Sequence, residues 1–546
     1  MNYFASVIAI LAVSLAGGWG LSRIFRKSPV LEAERNWVWG ITLLFFLVYL
    51  GILQYKLEAF QMGGWDFGIY DSMLHNAAAG KGLMQDYRGP FDHFSPLFML
   101  FVPLYWICDH PFWLLLIQAG ALAFAAPLLY ATAKHYFPKG IVPLALMLMY
   151  LLNPYWNRLA LYDFHIECLY PAVLFAAFYC YSRKKLLPFA LILMLSPLLK
   201  EDFVVPLAAA GLWMLLTQKG RRKLGIALIG AALFWTFFVL EIYFPHILHS
   251  AYWHYGRYRI FGATAAETLR NFLAMGERLF RPDIWAGALS LLLPFALLPA
   301  FNWKMLLFFW LPTLGIQLAS DNPDQFFLLS HYGAALVAVT PIAALWGART
   351  LRGMISRHPR LRKFRNWRTP AWSAAVLVLL CHVVYSDLPL SRYTEYLHGV
   401  RNIQGGILSL PLQPRYWREM GRLLDHAKVF ERFAGDLPVT PNTVMVCQNE
   451  LSPRFYREAR VFDFPELGMG NLGTRPERAD LYMLDSGNFT GKADVRKVNE
   501  ILTKLVKDPA YQLVRGPEGI MAILKKAQSQ PTSTGGETRK DRRASD

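Results

Sequence analysis

Along the chain, apolar runs of roughly 15 to 22 residues alternate with short polar breaks, near 5–24, 37–55, 112–133, 141–156, 168–182, 186–199, 203–218, 224–244, 284–301, 304–319, 328–348 and 370–387. Runs of that length predict membrane-spanning helices, about twelve in all. The stretch FSPLFMLFVPLYWI, 94–107, is too short for a span and carries two prolines. It reads as a helix lying at the membrane interface. After about residue 388 the pattern changes period. RYWREMGRLLDHAKVFERFAG and ADVRKVNEILTKLVKD have the spacing of amphipathic helices, whereas TVMVC, ARVFD and DLYMLD read as short strands. YQLVRGPEGIMAILKK reads as a closing hairpin turning near Pro517-Glu518-Gly519.

These elements predict a mainly α, polytopic transmembrane bundle followed by a small α/β domain. The boundaries are an N-terminal anchor and linker at 1–36, a membrane domain at 37–387 with a large first loop at 56–111, an α/β domain at 388–526, and a tail at 527–546. The tail has no apolar content and is expected to be disordered. The N-terminal run has its arginines after it and none before, so it reads as a retained anchor that starts outside.

Composition agrees with a membrane protein: 55% of the 546 residues are hydrophobic and 17% charged, against about 25% charged in soluble domains. The net charge of +18 does not indicate nucleic acid, because the basic residues lie in short loops between apolar runs. If the helices alternate, the segments at 23–35, 134–139, 183–185, 219–223, Lys304 and 349–368 fall on one side, which makes that side cytoplasmic. The protein is then expected in a bacterial cytoplasmic (inner) membrane with the α/β domain outside. The five cysteines are scattered, with neither a disulfide framework nor a zinc spacing.

The outward polar loops hold the candidate chemistry. In the first, WDFGIYDSMLHNAAAGKGLMQDYRGPFDHFSP, Asp66 sits among glycines, Asp71 and His75 are spaced to share a helical face, and Asp92-His93 follow. The second, RLALYDFHIE, sets Arg158, Asp163, His165 and Glu167 beside an apolar boundary, where desolvation is costly unless something is paired or bound. The third is Lys200-Glu201-Asp202, between two short apolar runs. Arg257 and Arg259, among aromatics in HSAYWHYGRYRIFG, offer guanidinium groups suited to a phosphate or a sugar.

The ordered set WDFGIYDSMLHNAAAGKGL, HFSPLFMLFVPLYW, DFHIE, LLKED, SHYGAALVAVTP, ADLYMLD and GIMAILKK resembles a bacterial family of uncharacterised polytopic membrane proteins. That family is usually placed beside the GT-C glycosyltransferases, and the resemblance runs from about residue 37 to 526. It implies the GT-C plan, with an acidic catalytic residue in the first outer loop and a second acidic site after the third core helix. Asp66 and Asp163 then take those places. One departure is that GT-C first-loop signatures pair their acids, whereas Asp66 is followed by Phe67-Gly68.

The expected activity is transfer of a sugar from a polyprenyl-phosphate donor to a glycan, lipid or protein acceptor on the outer face. Asp66 and Asp163 are the expected catalytic acids. Asp71, His93, Arg158, His165, Lys200, Glu201, Arg257 and Arg259 are the expected substrate ligands. A divalent metal, Mg or Mn, is the competing way to neutralise the departing phosphate, with Asp66, Asp163 and Glu167 as candidate ligands. Two alternatives stand beside this reading: a transporter or lipid flippase, and a non-catalytic assembly or sensor protein.

Overall fold

The structure is a computed structural model that describes residues 3–24, 34–85, 89–90, 93–138, 141–258, 262, 266–267, 270–271, 289, 291–322, 325, 328, 330–358, 368–385, 414–464, 479–486 and 495–526. Arg259, Asp92, the linker at 25–33 and the expected disordered tail at 527–546 lie outside the described residues. In chain order the main helices are α1 (Tyr3–Ile24), α2 (Glu34–Glu58), α3 (Ile69–Ala78), α4 (Val102–Ile107), α5 (Phe112–Tyr136) and α6 (Val142–Leu151). There follow α7 (Pro154–Leu161), α8 (Tyr170–Ser182), α9 (Leu186–Leu195), α10 (Val204–Thr217) and α11 (Arg222–Phe237). The last are α12 (Leu311–Leu318), α13 (Ala334–Arg357), α14 (Arg368–Tyr385), α15 (Pro414–Gly435) and α16 (Val495–Lys507). The strands are β1 (Met84–Gln85) and β2 (Gly89–Pro90), which form a minimal hairpin, and β3 (Val444–Cys447), β4 (Arg460–Asp463), β5 (Leu481–Asp485), β6 (Tyr511–Arg515) and β7 (Ile520–Lys525).

Four helices among the described residues are long and apolar enough to cross a membrane: Glu34–Glu58, Phe112–Tyr136, Lys219–Ile247 and His331–Arg357. The described residues are thus mainly helical, with four membrane-length helices and a small C-terminal sheet among them. Several of the expected spans are shorter than a bilayer, for local reasons. The run at 141–156 breaks where Asn153 caps a new helix and Pro154 occupies its first position. Within 284–301 the chain forms short 3₁₀ turns, and Ala296 and Leu297 adopt left-handed backbone conformations between them.

The helix ending in α13 is 83% buried over its span window, whereas Glu34–Glu58 and Lys219–Ile247 are 22% buried, so the first is central and the others lie at the periphery. α5 packs against α2, α6 and α8; α10 pairs with α11, and α1 runs along α14. At one end of this bundle the basic residues meet aromatic rings. Arg349 lies 4.0 Å from the Tyr136 ring centroid, Arg221 lies 4.5 Å from that of Tyr181, and Arg352 donates to the Tyr136 carbonyl at 3.2 Å.

The C-terminal strands form one sheet in the order β4-β3-β5-β7-β6, with β3 parallel to both β4 and β5 and the remaining pairs antiparallel. Alternation along β3 explains why two helices are needed to cover it. Met445 and Cys447 face Phe430 and Ala434 of α15, while Val444 and Val446 lie with Val498, Ile501, Leu502 and Leu505 of α16. Each expected strand and both expected helices of this domain are present within a residue or two of the sequence reading.

Candidate functional site

Segments far apart in the chain bring their polar side chains together at the end of the bundle away from the basic cluster. Asp66 sits in a π-helical turn, Gly64–Gly68, that runs directly into α3. Its Oδ2 accepts a 2.6 Å hydrogen bond from the Tyr162 hydroxyl, and its Oδ1 lies 3.4 Å from His165 Nε2. With 24% of its side chain exposed, Asp66 is accessible, whereas Asp163 and Glu167 are buried at 6% and 4%.

His165 stacks on His331, with ring centroids 3.6 Å apart. His331 Nε2 lies 3.6 Å from Glu167 Oε1, and Glu167 is ion-paired with Lys200. Next to it a second histidine stack, His93 on His254 at 4.2 Å, leads to Glu201. That carboxylate is gripped from three sides: His93 Nδ1 lies 2.5 Å away, the Tyr252 hydroxyl donates at 2.9 Å, and the Phe94 amide donates at 2.9 Å. Lys200, paired with Glu167, and Glu201, paired with His93, are neighbours in the chain, so the two halves form one connected cluster. The Tyr170 hydroxyl donates to Asp202 at its edge.

Burial and charge act against each other here. Burial pulls the His165 imidazole down, but Asp66 and Glu167 more than offset this and its titration is raised above the ordinary histidine value. Burial pushes Glu201 up, and the charges of His93, Lys200 and His254 reverse this and hold its carboxyl at about 2. Two buried polar atoms, Glu167 Oε2 and His331 Nδ1, have no hydrogen-bond partner among the described residues.

Of the residues proposed from sequence, Asp66, His93, His165, Glu167, Lys200 and Glu201 come together. Asp163 lies next to them in a different role: its Oδ2 accepts from the Gly63 amide at 2.9 Å and its Oδ1 is 3.4 Å from Lys56 Nζ. Arg158 lies over the Tyr155 ring at 5.4 Å, and Arg257 donates to the Tyr332 hydroxyl at 3.0 Å. Asp71 is turned away, accepting from Tyr105 at 2.7 Å and from Arg457 of the C-terminal domain at 2.6 and 2.8 Å. The three candidate metal ligands Asp66, Asp163 and Glu167 each have a separate partner. Among the described residues, no group of three or more His, Cys, Asp or Glu is placed to hold a metal ion.

Sequence reasoning missed Lys56, Tyr162, His254, His331 and Arg457. Tyr162 is next to Asp163, and His331 lies in the run SHYG, so both had a signal in plain view. Lys56 and Arg457 had none, because their partners are more than 100 residues away in sequence.

The family described as predicted membrane protein (DUF2079) matches residues 56–521. No curated protein and no solved structure matches the chain.

Proposed function

The chain belongs to this family of predicted membrane proteins, and we propose that it is a membrane glycosyltransferase of GT-C type using a polyprenyl-phosphate-linked sugar at the outer face. The observation that carries this reading is the connected cluster from Asp66 through His165, His331, Glu167 and Lys200 to His93 and Glu201. So many ionisable groups buried beside apolar helices cost desolvation energy that a bound polar substrate helps to offset. A lipid-linked donor explains why the site is built against a membrane. The bland alternative, a set of mutually satisfied structural pairs, does not account for the buried unmatched oxygen of Glu167 or for the accessible carboxylate of Asp66.

Asp66 is the general base. It accepts the proton of the acceptor hydroxyl, whose oxygen then bonds to the anomeric carbon. The bond from that carbon to the phosphate oxygen breaks with its electron pair going to the polyprenyl phosphate, and the anomeric centre inverts. Tyr162 and His165 hold the carboxylate in place. Lys200 and Arg257 are the cations for the charge that develops on the departing phosphate. Asp163 supports the site by tying α2 to the Gly63 backbone.

Asp66→Asn, expressed in cells lacking the native chain, should abolish the product while the protein still accumulates in the membrane. Polyprenyl-linked sugars and outer glycans, profiled by mass spectrometry, give the readout, and donor should build up as product falls. Asp163→Asn should lower the amount of folded protein first, because it weakens a buried ion pair. Identical glycans and lipid carriers in the deletion, in Asp66→Asn and in the parent would rule out transfer and leave the transporter or the assembly protein.

A further inference from the structure

We infer that the C-terminal domain is part of the catalytic apparatus rather than an appendage, and that Arg457 is a positioning residue for Asp66. The inference rests on the reading of Asp66 as the base. The turn that carries Asp66 is five residues long, with glycine at both ends and no side-chain cap at Gly63. The C-terminal domain touches it directly. The Gly64 amide donates to the Asn449 carbonyl at 2.8 Å, and the Tyr456 hydroxyl donates back to the Gly64 carbonyl at 3.3 Å. A side chain at Gly68 would strike the Tyr456 ring, and one at Gly64 would lie 2.7 Å from Ser452 Cβ. Glycine is required at these positions because the second domain approaches so closely.

Arg457 locks this contact. Its guanidinium takes Asp71, a fully buried carboxylate in the first turn of α3, with two parallel hydrogen bonds of 2.6 and 2.8 Å. It also reaches Asp109 at 3.2 Å, and Asp109 is held at 2.7 Å by His75, one helical turn beyond Asp71. The planar fork of arginine matches a carboxylate in a way a lysine does not. Asp71 begins the helix into which the Asp66 turn feeds, so fixing one end of α3 fixes the rotation of the turn. The same segment, 449–457, therefore touches the turn directly and clamps the helix behind it.

The test is hydrogen–deuterium exchange on the full-length protein in lipid nanodiscs, followed by glycan profiling of the same variants. In Arg457→Ala, peptides covering 62–71 should exchange about tenfold faster, while peptides from β3, β5 and β7 stay protected, which shows that the C-terminal domain is still folded. Arg457→Lys should fall between, and the swapped pair Asp71→Arg with Arg457→Asp should recover part of the protection. Should Arg457→Ala unfold the domain, Gly68→Ala serves instead: it pushes the turn off Tyr456 without altering the domain, and should raise exchange at 62–71 alone. Unchanged exchange over 62–71 in both variants overturns the inference, even if Asp66→Asn still abolishes product. Conversely, faster exchange in the nanodisc protein, together with cellular glycans that do not depend on Asp66, leaves the clamp standing and removes transfer. A loss of product in Arg457→Ala that Arg457→Lys partly restores is the result expected if both hold.

Discussion

At the scale of the residue, the cluster is a set of charges that stabilise the fold only while each is paired. Glu201 shows this best. Its carboxyl is buried, accepts three hydrogen bonds and faces His93, which holds it down at about 2, against roughly 4.3 for a free glutamate. The unfolded chain therefore binds a proton in this window that the folded chain does not. The stability from Glu201 is fully present above the unfolded value and is lost as pH falls through it toward about 2. Unfolding midpoints in detergent should drop as pH is lowered from 5 to 3, and Glu201→Gln should flatten that portion of the profile while lowering stability at pH 7. An unaltered slope in the variant would show that other carboxylates set the acid limit. The candidate ionisable residues themselves were legible in the sequence, because Asp66, His165, Glu167, Lys200 and Glu201 interrupt apolar runs. Their partners were not, because a pairing such as Lys56 with Asp163 depends on how helices distant in sequence cross.

At the scale of the element, the reading of the C-terminal domain held for a simple reason. Period-two and helical alternation decide which faces of β3, α15 and α16 are buried, and the sheet leaves room for no other choice. The membrane segments were less legible, since an apolar run shows that it is buried but not where it bends. The break at Asn153 is one such bend, and its signal is local: the Asn153 side chain accepts from the Tyr155 amide at 2.9 Å, with Pro154 supplying the fixed backbone angle. α7, started by this cap, carries Asn157 to the Tyr49 hydroxyl and leads into Tyr162, Asp163 and His165. Asn153→Ala should cost about 1 kcal/mol, read as a lower unfolding midpoint. Product should fall with it, because the start of α7 sets the angle at which the Tyr162 hydroxyl reaches Asp66. A variant with the parent midpoint would mean that Pro154 alone is enough to start the helix.

At the scale of the whole molecule, α5 is the measuring rod. Its 25 residues span about 37 Å, enough to cross a bilayer, and its two ends have opposite chemistry. Just before its first turn, Asp109 is bound to Arg457 of the C-terminal domain; at its last turn, Tyr136 lies under Arg349. The contacts of 449–457 with Gly64 and Asp71 place the C-terminal domain and the Asp66 loop on the same side of any membrane that α5 crosses. The basic residues at the other end, Arg183, Arg221, Arg349 and Arg352 among them, are expected on the cytoplasmic side by the retention of positive charge. Cys108, which is exposed next to Asp109, is a native reporter of this arrangement. A membrane-impermeant maleimide should label Cys108 in intact cells, and also Lys504→Cys on α16 in a chain whose Cys108 is replaced. Arg183→Cys, after α8, should react only once the membrane is opened. Labelling of all three positions in intact cells, or protection of Cys108 alongside Arg183→Cys, would put the carboxylates and the basic cluster on one side of the bilayer. A donor held in the outer leaflet would then have no path to Asp66.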